Sequence, residues 1–172
     1  MKKYLCLSFA LSAFLSPVLA ESPTRLGRFG AWDVFKATEE GKPICYMTSS
    51  ATKAEGKYKV RGPAFIIVTH RPYLNSYFSV SIDAGYTIHS GHKMTLIAQQ
   101  KSYAFDLVQG ETAWISQATT DKKVALAIAK TSGNIVVKGK SSRGTLTTDT
   151  YSTRGSLQAL RTMSRACRVA IK

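Results

Sequence analysis

Apolar residues recur along much of this chain at every second position. Phe78, Val80 and Ile82 fall on one side, and Ser79 and Ser81 on the other. Met94, Leu96 and Ala98 repeat the pattern, as do Tyr103, Phe105 and Leu107. A period of two is that of a β-strand with one face buried. Phe65-Ile66-Ile67-Val68 is instead a continuous apolar run, which suits a strand covered on both faces. Trp32–Lys36, Ile44–Ser49, Thr112–Ile115, Ile135–Lys138 and the Thr-rich Thr145–Tyr151 complete the predicted strands. Gln99–Ser102 reads as a tight turn. Ser141-Ser142-Arg143-Gly144 reads as a hairpin closure, with Gly144 at the positive-φ position.

Two segments carry helical spacing instead. Thr119-Thr120-Asp121 can cap a helix that runs to about Thr131 and stops at Gly133. Val124, Ala125, Ala127, Ile128 and Ala129 leave it little polar face, which predicts deep burial. The second helix runs from about Ser156 to Cys167. Leu157, Leu160, Met163 and Cys167 fall on an apolar stripe, and Arg161, Arg165 and Arg168 recur on another at i, i+4 and i+7. The whole pattern predicts a mainly β fold: an antiparallel β-sandwich or partly closed barrel with two packed helices. Residues 49–63, rich in Lys, Gly and small side chains, read as its one flexible tract.

The first 20 residues belong to a different plan. Lys2 and Lys3 precede an uncharged apolar run from Tyr4 to Leu15, then Ser16-Pro17 and a Val18-Leu19-Ala20 end. These are the parts of a cleavable secretory signal, with the mature chain starting near Glu21. The run is too short to cross a bilayer, which needs roughly 20 apolar residues, and no later segment approaches that length. Removing 20 of 172 residues leaves 152, read as one β-rich domain over 21–172 in the periplasm or cell envelope. Two cysteines remain there, Cys45 and Cys167. An even count in an oxidising compartment, with Cys167 on the apolar helix stripe, predicts one disulfide between them.

Charge narrows the range of partners. Lys2 and Lys3 account for two of the +14, which leaves the mature chain at +12. Such an excess draws a protein toward anionic surfaces. In the envelope these are lipopolysaccharide and phospholipid head groups; another envelope protein is the alternative, and nucleic acid is not an expected partner. Candidate contacts are Lys57, Lys59 and Arg61, in a basic tract with Lys53 and Tyr58, and the helical Arg161, Arg165 and Arg168.

Catalytic patterns are thin. Gly139-Lys140-Ser141 matches the end of a phosphate-binding loop, but the glycine required five residues earlier is Asn134. His89 and His92 flank Ser90-Gly91, which reads as a turn rather than a metal site. The ten acids show no G-x-S-x-G, H-E-x-x-H or C-x-x-C context. A hydrolase would have to assemble its site from His70, Asp83 or Asp149 and nearby serines. Trp32 and Trp114 sit in short alternating strands, where a core role outweighs ligand stacking. The reading is a non-enzyme without cofactor or metal; a chaperone or lipid carrier with an apolar pocket is the alternative.

An ordered set of segments carries a family likeness. It comprises Ala31-Trp32-Asp33-Val34, Pro43-Ile44-Cys45-Tyr46-Met47, Val68-Thr69-His70-Arg71-Pro72 and Gly85-Tyr86. After Trp114 and the Asp121–Ala129 helix come Val137 to Thr145, Asp149-Thr150-Tyr151-Ser152, Gly155 and the last helix with Cys167. Together, over about residues 29–168, they resemble the invasion-associated locus B family of exported proteins of Gram-negative bacteria. At Phe35-Lys36-Ala37 the chain lacks a cysteine found there in many members. The resemblance implies an envelope protein, associated in pathogens with host-cell entry, and transfers no catalytic residue or cofactor.

Overall fold

The structure, a computed structural model, describes residues 22–171. The predicted export signal, residues 1–20, lies outside them. The described chain forms β1 Thr24–Phe29, β2 Trp32–Glu39, β3 Lys42–Ser50, β4 Lys53–Gly56, β5 Phe65–Arg71, β6 Ser76–Asp83, β7 Met94–Ala98, β8 Lys101–Phe105, β9 Leu107–Gln109 and β10 Thr112–Trp114. There follow α1 Ala118–Lys130, β11 Asn134–Lys140, β12 Leu146–Ser152 and α2 Ser156–Ala166. The strands build two antiparallel sheets, ordered β1-β2-β3-β5-β6-β10-β9 and β4-β12-β11-β7-β8. Both are open, so the fold is a β-sandwich with two helices and the barrel alternative falls away.

Register explains the core. Val34, Met47, Val68 and Val80 lie in one row across β2, β3, β5 and β6, and none of them reaches solvent. A slip of one residue would turn such a row outward, so the apolar alternation itself locks the pairing. The second sheet adds Met94, Leu96, Phe105, Ile135, Val137 and Tyr151, all fully buried. Trp32 joins the two sheets: its buried indole N–H donates to the Ser152 carbonyl on β12 at 3.0 Å. α1 packs along β6, and α2 along β1 to β3. A disulfide links Cys45 on β3 to Cys167 at the end of α2, with Cα atoms 5.9 Å apart.

Local departures from the expected pattern have physical causes. Gln99 and Gln100 both take positive φ and close the two-residue β7–β8 turn, so Ser102 belongs to the strand. Gly144 takes φ 85° in the β11–β12 hairpin. α1 opens at Gln117 without a side-chain cap; Asp121 lies inside the helix and accepts the Val80 N–H instead. On α2 the buried stripe is Ser156, Ala159, Leu160, Met163 and Ser164, and Leu157 is exposed. Within 49–63, read as flexible, β4 pairs with β12. No helix among the described residues is long and apolar enough to cross a membrane.

Candidate functional site

The histidine that sequence made a catalytic candidate is occupied structurally. β5 and β6 slip register near His70, and Phe78 adopts φ 60°, a costly backbone for an aromatic residue. The freed N–H of Phe78 donates to His70 Nδ1 at 3.0 Å. With Nδ1 accepting, the proton sits on Nε2, which donates to Ser164 Oγ on α2 at 3.0 Å. Two residues along β6, the Val80 N–H donates to Asp121 Oδ1 at 2.8 Å. Burial lowers the His70 pKa to about 4 and raises that of Asp121 to about 6. Both side chains answer orphaned backbone groups in the core. Asp83 likewise serves the turn, accepting the Gly85 N–H, and Asp149 is held by Arg61.

The other end of β6 borders a cleft of about 800 Å³, set between residues 57–62, residues 85–87 and the β11–β12 hairpin. Its anchor is Arg61. The guanidinium makes a bidentate pair with Asp149, both contacts at 2.6 Å, and gives two further hydrogen bonds to the Ala84 carbonyl at 2.7 and 2.9 Å. The Arg61 side chain is 3% exposed and Asp149 is fully buried. Burial acts to lower the Arg61 pKa, but the Asp149 carboxylate outweighs it, so the group is held above its ordinary value. The Tyr58 and Tyr86 rings flank the guanidinium, with centroids at 5.6 and 4.8 Å.

Two glycines make this packing possible. Gly85 takes φ 66° where its Cα lies against the Gly62 backbone, leaving no room for a Cβ. A Cβ on Gly139 would collide with the Tyr86 hydroxyl, which crosses β11 to meet Thr147 Oγ1 at 2.6 Å. On the far wall the Ser142 N–H donates to the Thr87 carbonyl at 2.7 Å and ties down the hairpin that carries Arg143. The cleft therefore has a neutralised floor, fixed aromatic walls and exposed cations at Lys57, Lys59 and Arg143.

Of the predicted basic contacts, Lys57 and Lys59 meet here. Arg61 lines the same cleft but is spent on Asp149, so it is a pin and not a free cation. Arg143 was missed because its segment reads simply as a turn. The helical arginines do not stay together. Arg161 and Arg165 line a shallow groove with Gln158 and Thr162. α2 ends at Ala166, and Arg168 takes φ 55° in a Schellman turn, with Val169 N–H donating to the Ser164 carbonyl at 2.8 Å. Arg168 is thereby rotated off the stripe and lines a different groove beside Phe78. His89 and His92 share a turn, and no cluster of three metal-ligating side chains occurs among the described residues.

No protein-family model matches the chain, and no curated protein matches it. Among solved structures, the crystal structure of invasion associated protein B from Bartonella henselae is similar in fold, with a TM-score of 0.56. The match spans 83% of this chain and 96% of that one at 13% sequence identity. The likeness read from the ordered segments thus extends to the fold.

Proposed function

We propose that this chain is an exported envelope protein of the invasion-associated locus B type that works by binding an anionic envelope component, not by catalysis. The observation that carries the reading is the basic cleft. Lys57, Lys59 and Arg143 project around it while its one buried cation is already matched by Asp149. The three rim charges are therefore surplus to the fold and free for a partner. The side chains that a hydrolase would need, His70 and Asp149, are committed to separate internal bonds.

Lys or Arg near an anionic surface contributes about 1 kcal/mol each. Replacing all three rim residues by Gln should therefore cost the protein roughly a hundredfold in affinity for lipopolysaccharide at low salt. Parent binding should fade by several hundred millimolar salt, since the screening length falls to about 3 Å at 1 M. Cosedimentation of protein recovered from the extracytoplasmic fraction measures both. Indifference to salt and to the triple change would end the proposal. The carrier reading draws on a groove of about 940 Å³ beside the disulfide, where Leu74, Tyr77 and Phe78 make an apolar lining. Extraction of a radiolabelled phospholipid from vesicles into the soluble fraction would favour it.

A further inference from the structure

Building on the anion-binding reading, we infer that the cleft's rim docks onto an anionic lipid surface by inserting Val60 between the head groups. Val60 is 91% exposed, the highest value among the exposed large hydrophobic side chains. A lone exposed valine means little by itself. This one stands between the exposed Lys59 and the pinned Arg61, and lines the same cleft as Lys57 and Arg143.

The position is rigid on both sides. Tyr58 is held by its hydroxyl, which donates to the Ala54 carbonyl at 2.8 Å, and Arg61 by its four bonds to Asp149 and Ala84. Beyond it the Gly62 N–H donates to the Gly85 carbonyl at 2.9 Å. These bonds tether the chain on both sides of the valine, whose apolar surface stands in water. An aliphatic tip flanked by the basic side chains of Lys57, Lys59 and Arg143 matches the chemistry of an anionic bilayer interface, where apolar groups sink past the head groups and cations stay at phosphate level. A soluble acidic polysaccharide would use the cations and leave Val60 idle.

The test uses protein recovered from the extracytoplasmic fraction, vesicles of phosphatidylglycerol with phosphatidylcholine, pure phosphatidylcholine vesicles, and inorganic polyphosphate as a soluble anion. Val60→Ser, which adds no charge, should weaken binding to the anionic vesicles by about tenfold, from the lost burial of one aliphatic side chain. It should leave polyphosphate binding within about twofold. Val60→Trp should show an emission shift to the blue on anionic vesicles and none on neutral ones. Circular dichroism checks that the variants fold, and the Trp variant keeps the claim open to refutation if the Ser variant does not. Unchanged vesicle binding by Val60→Ser, or an unshifted Trp emission on bound protein, would overturn insertion while leaving anion binding in place. Preferential binding to polyphosphate, blind to Val60, would overturn it in favour of a soluble polyanion. Failure to bind any anionic probe would end the proposed function itself.

Discussion

The two ends of β6 both bury ionisable groups, and they use them in opposite ways. At the Phe78 end, His70 and Asp121 are folded inward to satisfy two backbone N–H groups, and α2 is sealed over them by Ser164 and the Cys45–Cys167 bond. At the Ala84 end, Arg61 and Asp149 neutralise each other below the surface and hold a loop whose other charges stay in solvent. A buried polar group can thus close a structure or stage a surface. What separates the two is where the surplus charge is left. The first end leaves Lys122 and Arg168 in an open groove beside Phe78, outside its core bonds; the second sets Lys57, Lys59 and Arg143 together on the rim of its cleft.

The covalent lock of the closed end should matter most. The disulfide spans 122 residues, and the chain-entropy model assigns a loop of that size about 4–5 kcal/mol. Replacing Cys45 and Cys167 together by Ala should lower the unfolding free energy by an amount of this order, read from denaturant titration. The cleft's affinity for lipopolysaccharide should survive in the folded variant, because α2 supplies none of its lining. A parallel loss of binding would mean that the two ends are coupled.

The staged end depends on its ion pair. Asp149→Asn leaves the Arg61 charge buried without a partner, and such breakage costs about 3–5 kcal/mol. Arg61→Met combined with Asp149→Leu removes both charges and should recover a good part of that loss. The double variant should still bind lipopolysaccharide more weakly than the parent, because the loop carrying Lys57 and Lys59 has lost its anchor. Full affinity with restored stability would show that the rim needs no pin.

Much of the first end was legible in sequence, and little of the second. Two cysteines in the stretch read as the mature chain allow one intramolecular pairing, so Cys45–Cys167 could be read directly. The one-faced burial of β6 and β7 prints itself as alternation. Edge strands leave no such print: β1 and β4 are largely exposed on both faces, so Thr24–Phe29 and Lys53–Gly56 carry no apolar period. The Arg61–Asp149 pair joins positions 88 apart, and nothing local in a basic tract marks which cation turns inward. The arginine stripe misled because i, i+4, i+7 assumes a helix that continues. The Schellman turn at Arg168 ends it two residues too soon, at Ala166.

The closed end also makes a pH prediction in which two groups cancel. His70, lowered to about 4 by burial, contributes stability that is present above its unfolded value near 6.5 and is lost as pH falls toward 4. Asp121, raised to about 6, works the other way: its contribution is present below its unfolded value near 3.8 and is lost as pH rises to 6. Each amounts to about 3 kcal/mol across its window. Between about pH 4 and 6 the folded state carries one proton less on His70 and one more on Asp121, so these two groups together add almost no slope. Asp121→Asn should expose the histidine's slope, with stability falling by about 2–3 kcal/mol from pH 6.5 to 4 relative to the parent. His70→Gln should expose the opposite slope. Denaturant midpoints measured at half-unit pH steps would show both, and a flat profile in either variant would break the pairing.

The smallest effect belongs to the staged end and concerns Tyr151. It shares the inward side of β12 with Thr147 and Asp149, is fully buried, and its hydroxyl has no hydrogen-bond partner among the described residues. Burial, reinforced by the Asp149 carboxylate, pushes its pKa well up, so the group stays neutral near neutral pH. The ring fills core volume, while the hydroxyl has been desolvated without a bond in return, which costs about 1–3 kcal/mol for a buried polar group. Tyr151→Phe keeps the ring and removes the penalty. The variant should be more stable than the parent by about 0.5–1 kcal/mol in denaturant titration, part of the gain going to the gap left by the oxygen. Lipopolysaccharide binding should not change, since Tyr151 does not line the cleft. A loss of about 1 kcal/mol or more would instead show that the hydroxyl is held. It would then belong to the bonds that fix Asp149 beneath the rim, and the staged end would rest on a network rather than a pair.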